Sequence, residues 1–216
     1  MAGTFPDAWE EVALVTISKY GADADITIEC AAMTETIDIA QGDYPGESIP
    51  NLAGGRVWKQ APEEDGELTL EIYPVDASLG DAENNLGLFQ AFAGGTWDTA
   101  EPIASDTTWT AGIDRTRDLF RVAILWTTDP ACTSAESATS GTDTVALRFT
   151  AISCRCTSHK SEFTDGILKV TATFKVPAME PTGVARQWRW ESTNDGDTTP
   201  LPALGAYDGT FNTTWT

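Results

Sequence analysis

The one histidine of the chain, His159, lies in "TSHKSEFTD" beside Ser158, Ser161 and Asp165, the residue types of a nucleophile, a base and an orienting acid. Members of such a triad meet through the fold rather than through closeness in sequence, so the cluster reads as a solvated turn. Four cysteines stand at 30, 132, 154 and 156. A zinc site would want C-x2-C pairs or well-spaced histidines, and here the spacing points instead to buried thiols or one disulfide of undecided pairing. "NDGD" at 194–197 is a fragment of a calcium loop that lacks the remaining ligands and the closing glutamate. "LAGGRVWK" has neither the spacing nor the setting of a phosphate loop, and none of the 33 acids is marked as half of a catalytic carboxylate pair. The expectation is no catalytic, cofactor or metal site, and no enzymatic activity.

Charge is the stronger signal. The formal net charge is -20, with 13 bases against 33 acids in 216 residues. Self-repulsion of that size is relieved by counterions, so the composition suggests a high-salt setting. The charge is also uneven: residues 1–110 carry 21 acids and 3 bases, and residues 111–216 carry 12 and 10. Either the halves occupy different faces of one fold or the acid-rich half lines something. Tight nucleic-acid binding is disfavoured, because such affinity comes mainly from Lys and Arg displacing counterions. No apolar run approaches the length of a membrane span, and "MAGTFPDAWEE" lacks the form of a signal peptide, so the chain reads as soluble and made in the cytoplasm.

The elements that must position any site are strands. "EVALVTISKY" (11–20), "DITIEC" (25–30) and "TETIDIA" (34–40) read as an opening meander. Residues 41–65 follow without a period and with Pro, Gly and the anchors Tyr44, Ile49 and Trp58, which predicts an extended hairpin or arm. "GELTLEIYPVD" (66–76) alternates cleanly, with Leu68, Leu70 and Ile72 on one face and Glu67, Thr69, Glu71 and Tyr73 on the other. One short helix is expected after Asp81, ending at Gly94-Gly95. "RDLFRVAILWTT" (117–128) predicts a strand buried on both sides, and "DPACTSAESATSGTD" (129–143) a surface loop tip. Residues 144–160 and 166–176 form a hairpin in which Lys169, Thr171, Thr173 and Lys175 share a polar face. If it pairs with 67–73, Glu67 or Glu71 lies across from Lys175 or Lys169. "VARQWRWES" (184–192) is a further strand or edge arm. The Thr-, Gly- and Pro-rich tail at 193–216 reads as a C-terminal arm that docks on something, after one domain at 1–192.

The strand order, the aperiodic arm before "GELTLEIYPVDA", and the stretch "FTAISCRCTSHKSEFTDGILKVTATFKVPAMEPTG" together resemble the major tail tube proteins of tailed viruses, here of one infecting a halophilic archaeon. The resemblance spans about residues 11–192. It implies an all-β fold, an antiparallel β-sandwich or barrel with one short flanking helix, contributing strands to a ring-closed oligomeric β-barrel. It implies hexameric rings stacked into a tube that conducts viral DNA without specific binding. The implied partners are the chain itself, a tape-measure protein and tail-end proteins, with no membrane, in a virion tail assembled in the host cytoplasm. On this pattern residues 41–65 are the inter-ring arm, with Tyr44, Ile49, Pro50 and Trp58 at its contacts, and Glu67, Thr69, Glu71, Lys169, Thr171, Thr173 and Lys175 are candidates to face an acidic to neutral lumen. Solvated surface is the competing reading of those polar faces. Rival functions are a tail terminator, a baseplate or capsid decoration protein, and a halophilic carbohydrate-binding module using Trp188 and Trp190 or Trp97 and Trp109.

Overall fold

The computed structural model describes residues 11–19, 26–74, 119–140, 145–164, 167–193, 199–205 and 207. The expected helix after Asp81, the tryptophans 97 and 109, the turn at 165–166 and the "NDGD" stretch at 194–197 lie outside these residues. The described strands are β1 (Val12–Lys19), β2 (Ile26–Ala40), β3 (Gly46–Pro50), β4 (Arg56–Gln60), β5 (Gly66–Pro74), β6 (Phe120–Thr127), β7 (Ala146–Thr164), β8 (Ile167–Val176) and β9 (Trp188–Thr193).

Six strands close a barrel in the order β6-β1-β2-β5-β8-β7, with β7 pairing back to β6 and every pairing antiparallel. Alternation dictates what fills it. Ala13, Val15 and Ile17 of β1, Leu68, Leu70 and Ile72 of β5, Val122, Ile124 and Trp126 of β6, and Val170, Ala172 and Phe174 of β8 all point inward and form one core. Phe120 meets Phe174 edge to face at 6.1 Å across that core. The barrel is two half-shells: β1, β2 and β5 come from the acid-rich half of the sequence, and β6, β7 and β8 from the half where charge nearly balances.

Two strands depart from regular pairing. The sequence separates 25–30 from 34–40, but the chain runs through both as β2, absorbing the alanine-rich interval as a bulge between Ala32 and Ile37 opposite β5. Thr34 and Thr36 stabilise the bulge: Thr34 Oγ1 accepts the Trp126 indole N–H at 3.1 Å, and Thr36 donates to the Met33 carbonyl at 2.8 Å. β7 turns a corner at Ser153, which sits at φ 58°. A side chain pays strain in that left-handed region, and Gln187 holds it there: Ser153 Oγ donates to Gln187 Oε1 at 2.8 Å and the Ile152 N–H donates to the Gln187 carbonyl at 2.8 Å. Before the corner β7 lies between β6 and β9, and after it β7 runs beside β8.

β6 is buried on both faces, as its apolar run predicts. Its outward residues Ala123 and Leu125 meet Cys132, Ala135, Ala146 and Leu201 in a second, smaller core. Residues 129–140 are therefore a cover rather than the loop tip their small polar residues suggest. Asp129 ties the cover shut by accepting the Ala131 N–H at 2.9 Å and the Ser140 N–H at 2.7 Å, and the Ala131 contact leads in holding its carboxyl below the usual range. Of the C-terminal segment, residues 199–205 and 207 dock on the chain's own barrel: Thr139 and Leu201 exchange hydrogen bonds, and Arg148, fully buried, donates to the Pro202 carbonyl at 2.7 Å.

Candidate functional site

Two features stand outside the packed cores: a polar sheet face and a projecting hairpin. The sheet face follows from register. Glu67 pairs with Lys175, Thr69 with Thr173 and Glu71 with Thr171, while Leu68, Leu70 and Ile72 pair with Phe174, Ala172 and Val170 toward the core. All seven expected residues thus share the outer face. Lys175 Nζ lies 2.8 Å from Glu67, the Thr69 and Thr173 hydroxyls are 3.3 Å apart, and Lys169 Nζ donates to Glu71 at 3.1 Å. Each lysine comes from the balanced half of the sequence and each glutamate from the acidic half. The Glu71 hydrogen bond leads in raising Lys169 above the ordinary lysine value.

The face continues on both sides. Asp38 of β2 pairs with Thr69, and Arg155, Ser158 and Lys160 of β7 pair with Lys175, Thr173 and Thr171. Glu162 pairs with Lys169, and Lys160 hydrogen-bonds to Glu162, which draws the Glu162 carboxyl below its ordinary value. Four acids (Asp38, Glu67, Glu71, Glu162) and four bases (Arg155, Lys160, Lys169, Lys175) occupy this one face of a chain whose net charge is -20.

The sheet also outgrows the barrel. β1 pairs with β2 only up to Met33, and β6 pairs with β7 only up to Cys154. Among the described residues, β5 is the sheet neighbour of β2 from Ile37 to Ala40, and β8 is that of β7 from Ser158 to Thr164. The result is a four-stranded extension, β2-β5-β8-β7, with a lateral edge on each side that no other described strand pairs with.

The hairpin leaves from the Ala40 and Gly66 end of this extension. Gly42 allows its two legs to touch: a Cβ there would lie 1.7 Å from the Glu64 carbonyl oxygen. Gly46 does the same for Trp58, whose ring lies where a Cβ would reach it at 2.2 Å. β3 and β4 pair from Gly46 with Gln60 to Pro50 with Arg56, and Asn51 Oδ1 accepts the Ala53 and Gly55 N–H groups at 3.1 and 2.8 Å to close the tip. The arm is ordered by its own bonds yet exposed along both strands, with Trp58 63 % exposed and Leu52 fully so. Its base is fastened by three residues: Tyr44 Oη donates to Glu63 at 2.7 Å, and Arg186 donates to Glu63 at 2.8 Å and to Tyr44 Oη at 2.9 Å.

The fold has distant likenesses among solved tail-like assemblies. The chain is similar to a chain of the sheath–tube complex of an extracellular contractile injection system, PVC, in its extended state, at 11 % identity over 84 % of this chain and 88 % of that one, with a TM-score of 0.43. It is also similar to the sheath/tube terminator of PVC in the extended state (10 % identity, 83 % and 92 % covered, TM-score 0.42) and to the tube-terminating cap of the anti-feeding prophage (9 %, 84 % and 88 %, 0.41). No family model matches the chain, and no curated protein matches it.

The four expected arm residues do not share one face of the hairpin. Tyr44 belongs to the base. Trp58 and Pro50 share one face of the hairpin, while Ile49 stands on the other opposite Val57. Leu52 and Val57 are exposed apolar residues that the sequence reading passed over, although alternation through "RVWKQ" was there to find Val57. Trp190 stacks at 6.1 Å on Trp126 and meets Phe149 at 4.9 Å, and Trp188 lies under Arg186, so the two do not form an open tandem platform for sugar rings. All four cysteines are buried thiols. Burial leads in raising Cys132 to about 11 and in raising Cys30 and Cys154 further.

Proposed function

We propose that the chain is the subunit of a viral tail tube, assembling into hexameric rings that stack and conduct DNA. The observation that carries this reading is the four-stranded extension with two open lateral edges and one polar, charge-balanced face. An open edge is a template for pairing, and a ring removes it by giving each edge the next copy's opposite edge. Because β2 and β7 run in opposite directions across the four strands, the β7 edge of one copy meets the β2 edge of the next antiparallel, and alternation continues around the ring. Six copies would supply about 24 strands, and at about 4.8 Å per strand the backbone circle would be about 37 Å across, widened by strand tilt and narrowed by about 5 Å of side chain at each wall.

The polar face of the extension would line that channel, since its other face is committed to the barrel core. A wall of paired charges neither binds phosphate strongly nor excludes it, which suits a polymer that must pass without sticking. The exposed hairpin suits stacking on an adjacent ring, with Ile49 and Val57 on one side and Trp58 on the other as its apolar contacts. The role is structural, in a virion tail, with tail-end and tape-measure proteins as further partners.

Negative-stain electron microscopy of the purified protein at molar salt tests this. Rings and tubes are expected. Replacing residues 46–60 by a short glycine linker is expected to leave rings that no longer stack. A monomer at every salt concentration would refute the reading, and rings of the intact chain that never stack would point to a tail terminator instead.

A further inference from the structure

We propose that neighbouring copies join through a charge-complementary seam, with Asp38 on the β2 edge of one copy against Lys160 and Arg155 on the β7 edge of the next. The proposal rests on the ring reading above and adds the residues that select the partner edge. Along the polar face, the acids and bases in the middle of the sheet satisfy one another: Glu67 with Lys175 and Glu71 with Lys169. At the margins the net charges differ in sign. The β2 margin carries the exposed Asp38, which has no hydrogen-bond or ion-pair partner among the described residues. The β7 margin carries Arg155 and Lys160, 71 % exposed, together with Glu162, which pairs with Lys160 along the strand, so that two cations and one acid face outward there.

Register makes the pairing robust. Asp38 lies in the row Asp38-Thr69-Thr173-Ser158, and the rows on either side of it end at β7 in Arg155 and Lys160. A closed sheet staggers its strands, and only two-residue steps keep a side chain on its face. With no stagger Asp38 meets Ser158 and has a cation diagonally on each side, at about 7 to 8 Å between backbones, within reach of long side chains. A step either way puts it opposite Lys160 or Arg155. Pairing two β2 edges about Asp38 would set acid against acid, and pairing two β7 edges within the stretch from Arg155 to Lys160 would set cation against cation. The same charges therefore disfavour two-fold dimers and favour head-to-tail closure.

The test uses two full-length chains, Asp38→Lys and Arg155→Glu/Lys160→Glu, at about 0.15 M salt, where the Debye length is about 8 Å. Each alone carries like charge on both edges. Each is expected to need at least about tenfold more protein than wild type to form rings in sedimentation velocity. Mixed one to one they regain assembly, with native mass spectrometry showing equal numbers of the two chains in each ring. Asp38→Asn is expected to shift the threshold in the same direction by a smaller factor, and all differences narrow at molar salt, where screening falls to about 3 Å. Wild-type rings indifferent to these changes, or folded variants that fail to co-assemble, would sink the seam alone. Wild-type protein that forms no rings would sink the ring reading and the seam with it.

Discussion

The outer surface of the barrel is treated in opposite ways on its two flanks. Over β6 and β1 the chain covers itself: the segment 129–140 and residues 199–205 and 207 lie across the strands, and Arg121 and Arg148 reach out from beneath to hold them. Arg121 pairs with Glu136 at 2.8 Å and donates to the Gly205 carbonyl at 2.6 Å, while Arg148 pairs with Glu191 at 2.9 Å and donates to the Ser137 and Pro202 carbonyls. Over β5 and β8 nothing of the described chain lies across the strands, and charges pair in the plane of the sheet instead. The covered flank spends its polar groups on the fold. The open flank keeps its polar groups half-exposed, at 47 to 49 % for Glu67 and Lys175, and exposed ion pairs add little to stability. A surface so arranged adds little to the stability of the fold.

This contrast can be broken most severely on the covered side. Arg148→Ala would leave two carbonyls without their donor and Glu191 with Arg189 alone, so a loss of about 3 to 5 kcal/mol is expected in urea unfolding. A loss below about 1 kcal/mol would mean that the cover is held by its apolar contacts. Glu29→Gln sharpens the same side with a smaller effect of opposite sign. Burial leads in raising the Glu29 carboxyl above its usual range, against the hydroxyls of Thr16 and Ser134, so its charge is a cost at neutral pH. The amide is expected to stabilise by less than about 1 kcal/mol at pH 7. That gain should vanish as pH falls through the raised value, where the wild-type carboxyl takes up its proton, and thermal melts across pH 4 to 8 would show it. On the open side, Lys175→Ala is expected to change stability by under about 0.5 kcal/mol. On the tube reading proposed above, Glu67→Lys/Glu71→Lys is expected to leave assembly intact while slowing DNA ejection, and unchanged ejection in a virion carrying it would refute a channel-wall position for these residues.

The open flank was the more legible in sequence. Strict alternation in "GELTLEIYP" and "ILKVTATFKV" exposes one polar face on each strand, and opposite charges on the two anticipate their pairing. The double burial of β6 is equally readable, because its run has no polar side to spare. The cover could not be read, because Asp129, Thr139 and the serines around them look the same whether they solvate a loop or fasten it by side-chain to backbone bonds. Nor could the margins: Asp38 alternates plainly with Ile37 and Ile39, but that it stands at an edge depends on where β1 and β6 stop, which is set by long-range pairing. The continuity of β2 was hidden for a related reason, since Ala31, Ala32 and Met33 resemble a break and a bulge equally well.

The extension has two unlike ends. The hairpin departs where β2 hands over to β5, and Thr164 and Ile167, the paired last residue of β7 and first residue of β8, lie at the far end of the same strands. Copies joined in line repeat that difference, so a column of them carries a direction and its two termini present different chemistry. On the stacked-ring reading proposed above, one terminus would offer protruding hairpins and the other the surface that receives them. Initiation and capping would then be tasks for two different proteins, and cargo moving along the bore would meet a vectorial, one-way-numbered path rather than a symmetrical pipe.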